Sequence, residues 1–234
     1  MTKKSIGLMF SGGIDSTYTA CLLAQQYDVV HLMTYDMEYG HYHIERTVKR
    51  VHELQKQYNC TFIHAIISTK KLFNTLVIDN LKRDYNKYKS AFIWCMGCKI
   101  AMHTQSIMYC IQNNLSEMTD GSSRDTDEMV EQMEPSIACI NDYYAAHHIS
   151  FTVPAYDATR QEKIDFLKKH DFHFGLQIRD RFMGIQPVCI PGELYYLPYL
   201  LFNTPLKHDE TVVCDFIKTK IETAEKFIKE ATHS

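Results

Sequence analysis

The chain has 234 residues, 45% of them hydrophobic and 23% charged, with a net charge of −3 and a pI near 6.4. That is long enough for one generous α/β domain with a small appendage, and ordinary enough in composition to exclude a disordered chain. The missing basic surplus argues against a dedicated nucleic-acid-binding domain, though not against a local basic patch.

Met1-Thr2-Lys3-Lys4 runs into an apolar stretch of only Ile6 to Phe10. This is too short for a signal-peptide core, and no later run approaches a membrane span, so a cytoplasmic chain with no membrane partner is expected. In a reducing compartment the eight cysteines, at 21, 60, 95, 98, 110, 139, 189 and 214, should be thiols. Most are expected to be small buried apolar residues, and paired ones point to metal binding or catalysis.

Residues 4–10 read as a strand and 15–26 as a helix with Tyr18, Cys21, Leu22 and Gln25 at turn spacing. A second strand follows at 29–34, a helix at 43–58 and a third strand at 61–67. Helices at 69–85 and 97–113 precede a short strand at 117–119. A helix at 134–147, a strand at 150–153 and a helix at 159–170 complete the alternation. Strands alternating with helices imply parallel βαβ units, and right-handed crossovers make a doubly wound α/β sheet of five strands the expected result. After His173 the prolines at 187, 191, 198 and 205 predict a structured loop region. Residues 209–231 then read as an amphipathic helix with Val213, Ile217, Ala224 and Ile228 on its apolar side, able to pack back on its own domain or to form a homodimer contact. Residues 1–175 are expected to form the α/β domain, and 176–234 an extension packed on it.

Ser11-Gly12-Gly13-Ile14-Asp15-Ser16 falls between the first strand and the first helix. Two glycines let the backbone approach a phosphate, and the helix adds free N–H groups and the positive end of its dipole. Ser11, Ser16 and Thr17 supply hydroxyls. No Gly-Lys-Ser/Thr follows, so this is not a Walker loop, nor is it a dinucleotide fingerprint.

The loop resembles the Ser-Gly-Gly-x-Asp-Ser motif of the PP-loop ATP pyrophosphatase superfamily, whose members cleave ATP between the α and β phosphates and transfer AMP to a carbonyl oxygen. The resemblance implies a Rossmann-like sheet of order 3-2-1-4-5. It implies that Gly12, Gly13, Asp15 and Ser16 hold pyrophosphate, that Asp15 helps place Mg²⁺, and that adenine lies near Thr34 to Met37. The segment Thr119-Asp120-Gly121-Ser122-Ser123-Arg124-Asp125 is similar to the family's second nucleotide-facing loop, which makes Gly121 and Ser122 candidates. It carries Gly-Ser-Ser where many relatives carry Gly-His and acidic residues. Arg160, opening the helix after the fifth strand, can neutralise a phosphate or be a solvated surface charge.

Cys95-Met96-Gly97-Cys98-Lys99 is expected at a helix start, where the dipole lowers thiol pKa values. Alone it reads as half a zinc site, a redox pair or a coincidence. With Cys189, 189 − 95 = 94 positions on, in Pro187-Val188-Cys189-Ile190-Pro191, it resembles the sulfur-inserting members of the superfamily, such as tRNA and nucleobase thiolases. The resemblance spans residues 4 to 192. It implies either a [4Fe-4S] cluster on Cys95, Cys98 and Cys189, or a persulfide carried by one thiol and resolved by another. His41 and His43 are candidate metal ligands or a solvated pair. His147-His148 marks a helix end. Arg179 and Arg181 can meet an anion, and Trp94 can shield the site or stack on a base.

These residues together predict an ATP-dependent sulfurtransferase that converts a carbonyl of a nucleobase or small heterocycle to a thiocarbonyl, with sulfide or a cysteine desulfurase as donor. The near-neutral charge favours a free small molecule over tRNA. An ammonia-using amide or nitrile former is a second reading, opposed by the lack of four grouped cysteines. A non-catalytic nucleotide-binding module is a third.

Overall fold

The computed structural model of the chain describes residues 3–172, 187–202 and 206–232. Its strands are β1 (Ser5–Met9), β2 (Val29–Asp36), β3 (His41–Tyr42), β4 (Thr61–Ser68), β5 (Glu117–Thr119), β6 (Ser150–Thr152) and β7 (Val188–Cys189). The helices are α1 (Ile14–Ala24), α2 (Thr47–Gln57), α3 (Lys70–Leu76), α4 (Leu81–Tyr88), α5 (Phe92–Gln112), α6 (Glu134–Ala145), α7 (Arg160–Lys169), α8 (Ile190–Phe202) and α9 (Glu210–Thr232).

Five strands form one all-parallel sheet in the order β4-β2-β1-β5-β6. With the two-residue β3 left aside, this is the predicted 3-2-1-4-5 arrangement. Alternate side chains of the central strands feed two cores. Ile6, Leu8, Val30 and Leu32 meet Ala20 and Leu23 of α1, Val51 and Leu54 of α2 and Leu167 of α7. Met9, Met33 and Tyr35 meet Ile100 and Ile107 of α5, Tyr144 of α6 and Phe216 of α9. Burial on both faces explains why β1 and β2 read as nearly continuous apolar runs.

Three expectations need correction. The helix predicted over 69–85 is split into α3, a single 3₁₀ turn at Ile78–Asn80 and α4. The helix predicted from 97 begins at Phe92. The stretch expected to be loop contains α8, which runs through Pro198. Pro191 is the second residue of α8, where a helix needs no N–H donor, so it opens the helix rather than breaking it.

On α9, the apolar residues Val213, Ile217, Ala224 and Ile228 are all buried, packed in the core that α5 and α6 share. This is the packing-back reading of the helix. Lys220, 1% exposed, donates to the Asp84 carboxylate of α4 and to the Leu76 carbonyl. Removing one partner of such a pair strands the other charge in the interior. Lys220→Met is therefore expected to lower unfolding free energy by about 3 kcal/mol, read by urea denaturation. Among the described residues, no helix is long and apolar enough to cross a membrane.

Candidate active site

The sheet order changes direction at β1, which has β2 on one side and β5 on the other. Crossovers leaving in opposite directions open a crevice at the carboxyl ends of the strands, the usual ligand position in such sheets. A cleft of about 400 Å³ lies there, lined by Ser11, Gly13, Asp15 and Ser16 among others.

The chain turns at Gly12, φ 72°, and enters α1 at Gly13 with no side-chain cap. The first-turn amides thus have no intrahelical acceptor and can meet an anion. Ser11 Oγ lies 3.1 Å from Ser16 Oγ and accepts from the Gly13 amide at 3.3 Å, which fixes the loop's shape. Thr17 stands behind the loop. It is fully buried, its amide donates to the Gly13 carbonyl, and its Oγ1 has no hydrogen-bond partner.

Two lysines support this end of the cleft. Lys163 of α7, 0% exposed, donates to Asp15 Oδ1 at 2.9 Å and to Ser123 Oγ at 2.7 Å. Lys99 of α5 donates to Asp120 Oδ2 at 2.6 Å. Burial alone would raise the Asp120 pKa, but the Lys99 ammonium, His103 and the Ser122 amide outweigh it and hold the carboxyl below its usual range. His103 is itself pushed down to about 3 by burial and by Lys99. A depressed carboxyl contributes stability above its unfolded pKa of about 3.9, and that stability is lost as pH falls through the lower folded value. Asp120→Asn is expected to flatten the fall in unfolding free energy below about pH 4, measured by denaturation across the acid range.

Gly121 presses on the phosphate loop. A Cβ there would sit 2.9 Å from the Ser16 backbone nitrogen and 3.1 Å from its Cα, so any side chain must push the two loops apart. Gly121→Ala is expected to cost about 1–3 kcal/mol of stability, read by melting. Ser122 and Arg160 line the cleft. The Arg160 amide donates to the Asp125 carboxylate, and α7 behind it is fixed by a Thr159–Glu162 capping box. Thr34, 2% exposed, donates to the Phe10 carbonyl at 2.7 Å, and it lines the cleft with Tyr35.

The opposite wall is a two-residue antiparallel ladder, His41 paired with Cys189 and Tyr42 with Val188. It starts from Gly40, whose carbonyl accepts from the Ile190 amide at 3.0 Å. Gly40 has φ 76°, and a Cβ there would meet Pro191 Cδ at 2.6 Å, so the position demands glycine both by conformation and by space. Cys189 thereby faces the cleft, while Cys95 and Cys98 sit on α5. All eight cysteines are free thiols.

Because α5 starts at Phe92, Cys95 and Cys98 are inside the helix rather than at its first amides. The expected lowering of their pKa is overturned. Burial pushes all three thiols up, and the Glu131 carboxylate adds to this at each of them. Cys189 raises Cys95 and Cys98 in turn, so the three thiols share one electrostatic environment. Cys98 Sγ donates to Met37 Sδ at 3.2 Å. Among the described residues, no group of three His, Cys, Asp or Glu side chains is disposed as a metal site. Tyr196 of α8 donates to Glu131 Oε2 at 2.5 Å and accepts from the Val130 amide at 3.2 Å, tying the helix after Cys189 to the segment after β5.

The weaker candidates separate. His41 lines the cleft, and burial lowers its pKa. His43 takes a left-handed conformation, φ 61°, which ends the strand pattern and leaves its half-exposed ring 3.5 Å from Glu45. Trp94 is partly buried and makes edge-to-face contacts with Phe73 at 5.0 Å and Tyr39 at 6.5 Å. The pair His147-His148 follows the end of α6 as expected. Arg179 and Arg181 lie outside the described residues. Sequence reasoning missed Lys163, Lys99, Asp120, Glu131 and Tyr196. A usable signal existed for Lys163, which stands four residues before the buried Leu167 on one helix stripe.

No family model and no curated protein matches the chain. Among solved structures, a 4-thiouridine synthetase in complex with RNA and bound ATP is similar over 99% of this chain and 54% of that one, with a TM-score of 0.57 and 14% identity. A predicted subunit of a tRNA methyltransferase from Methanocaldococcus jannaschii is similar over 74% of this chain and 76% of that one, with a TM-score of 0.45 and 16% identity. The chain thus spans about half the length of the synthetase. The first likeness bears out, at the level of fold, the doubly wound parallel sheet read from the sequence.

Proposed function

We propose that this chain of PP-loop-type fold is an ATP-dependent sulfurtransferase acting on a carbonyl of a nucleobase. The observation that carries the reading is that the phosphate loop and Cys189 line one cleft. In the reaction the substrate's carbonyl oxygen attacks the α-phosphorus of ATP, and pyrophosphate leaves. Sulfur then attacks the activated carbon, and AMP departs with the original oxygen. A solved structure of the same fold that holds ATP and RNA supports a base carried in RNA rather than the free heterocycle that the net charge favoured.

In this reading the first-turn amides of α1, with Ser11, Gly12, Gly13 and Ser16, hold the pyrophosphate portion. Asp15, its side chain 36% exposed and one oxygen on Lys163, fits a Mg²⁺ ion on those phosphates, a hard cation that takes carboxylate oxygen. Arg160 answers phosphate charge, Gly121 and Ser122 close over the nucleotide, and Thr34 borders the adenine.

Three cysteines match an iron–sulfur group in kind and number, so Cys95, Cys98 and Cys189 would hold the [4Fe-4S] cluster as thiolates, although they are not disposed as a metal site in this structure. When bound it would supply inorganic sulfide beside the cleft. A second reading is favoured by one observation, that of the three only Cys189 lines the cleft. There, a persulfide on Cys189 attacks the activated carbon. Cys95 or Cys98 then attacks the Cys189 sulfur, forms a disulfide with it and releases the thiocarbonyl. Two equivalents of an external thiol restore the two electrons and leave as their own disulfide, and a cysteine desulfurase reloads the sulfur.

Incubation with ATP, bulk tRNA or candidate bases, and either sulfide or ammonia tests the reading. A base in which one oxygen is replaced by sulfur is expected by mass spectrometry. A nitrogen-bearing product would move the chain to the amide or nitrile formers, and ATP binding with no product in any arm would leave a nucleotide-binding module.

A further inference from the structure

Over the whole chain acids outnumber bases, 28 to 25. Residues 81–89, Leu81-Lys82-Arg83-Asp84-Tyr85-Asn86-Lys87-Tyr88-Lys89, invert that balance with four cations and one acid. The acid, Asp84, is 3% exposed and held by Lys220, so it offers little charge to solvent. Lys82, Arg83, Lys87 and Lys89 are all exposed. Asp215 reaches Lys87 at 2.7 Å, but an ion pair exposed on both sides is weak and exchanges readily for another anion. Tyr85, 54% exposed, sets a flat ring among these charges.

The patch adjoins the cysteine site. Lys89 ends α4 in a left-handed conformation, φ 52°, six positions before Cys95, and α5 begins at Phe92. Tyr88 packs on Phe92 at 6.2 Å, and the Ser90 side chain lies near the hydroxyl of Tyr195 in α8, the helix that follows Cys189. An anion bound along α4 would therefore lie beside α5, which carries Cys95 and Cys98, and near α8, which follows Cys189.

We infer that α4 and Lys89 form the docking surface for the phosphate backbone of the RNA that carries the substrate base. This rests on the reading that the base lies in RNA. Separated cations follow successive phosphates, and an exposed aromatic ring among them offers a stacking face for an unpaired base. A membrane surface fits less well, because an eight-residue helix about 12 Å long has little apolar area to bury in lipid.

The test compares wild type with Lys82→Glu/Arg83→Glu/Lys89→Glu, which keeps Lys87 for Asp215. The control is the charge-matched Lys49→Glu/Lys56→Glu/Lys168→Glu, and circular dichroism verifies folding. Wild type and control are expected to bind bulk tRNA at low salt. The patch variant should bind at least about tenfold more weakly, with a salt slope shallower by about two to three. Tyr85→Ala should lose about tenfold without changing the slope. Equal tRNA binding by the patch variant and wild type, equal loss in the control, or capture of phosphatidylserine vesicles in place of tRNA would overturn the surface. ATP binding is read on the same samples. If ATP binds and the patch variant keeps its tRNA, the surface fails and the proposed chemistry stands. If wild type binds no ATP, the chemistry fails and the tRNA arms still judge the surface.

Discussion

Asp15→Ala is expected to reduce pyrophosphate release by at least about 10²–10³-fold, the scale of losing one preorganised electrostatic contact in a closed site. The residue lines the cleft and takes no part in either apolar core. Among the described residues, its side-chain partner is the fully buried Lys163, which also holds Ser123. Truncation therefore removes the carboxylate from the phosphates and leaves a buried ammonium with one fewer acceptor, so some stability will be lost as well. Asp15→Asn separates the two effects. The amide can still accept from Lys163, so the variant should unfold close to wild type, yet it lacks the charge that would place Mg²⁺. Both variants should fail in a pyrophosphate assay. Wild-type release by a well-folded Asp15→Asn would remove this loop from the catalytic account.

Much of the frame was legible because its signals are local. The alternation of apolar runs with helical patterns over residues 4–170 follows from strands buried on both faces, and the sheet order was implied by the resemblance that residues 11–16 carry. The phosphate loop is contiguous, so residues 11–16 announce it. What was hidden depends on contacts between distant residues. Lys163 meets Asp15 across 148 positions and Tyr196 meets Glu131 across 65, and no spacing rule links such pairs. The pKa of the cysteine pair was misread for a related reason. The expectation weighed a helix dipole at the wrong helix boundary, whereas burial and Glu131 decide the outcome. Proline punctuation failed at α8 because a proline in a first turn opens a helix as readily as it ends one.

Cys189→Ala is expected to reduce thiolation to background while leaving ATP affinity within about twofold of wild type. The side chain faces the cleft from the β3–β7 ladder, and that ladder is held by backbone pairing and by Gly40 against Pro191, neither of which needs the thiol. Losing one half-buried sulfur should cost only about 1–2 kcal/mol of stability. Cys95→Ala and Cys98→Ala divide the two sulfur routes. A cluster needs every one of the three thiols, and iron content should fall in each variant. A persulfide needs Cys189 and one resolving thiol, so one of the two α5 variants should keep activity without iron. A Cys189→Ala protein that still thiolates its substrate at the wild-type rate would remove this cysteine from sulfur delivery.

The central claim is that one cleft couples ATP cleavage at the α-phosphorus to replacement of a carbonyl oxygen by sulfur. The most direct measurement is a single-turnover reaction of anaerobically purified protein with ATP, bulk tRNA and sulfur from sulfide in one arm and from a cysteine desulfurase with cysteine in the other, with nucleotides and digested nucleosides quantified together. AMP, pyrophosphate and thionucleoside are expected in equal amounts. Cleavage of ATP to ADP and phosphate, or AMP and pyrophosphate accumulating with no thionucleoside, would contradict it.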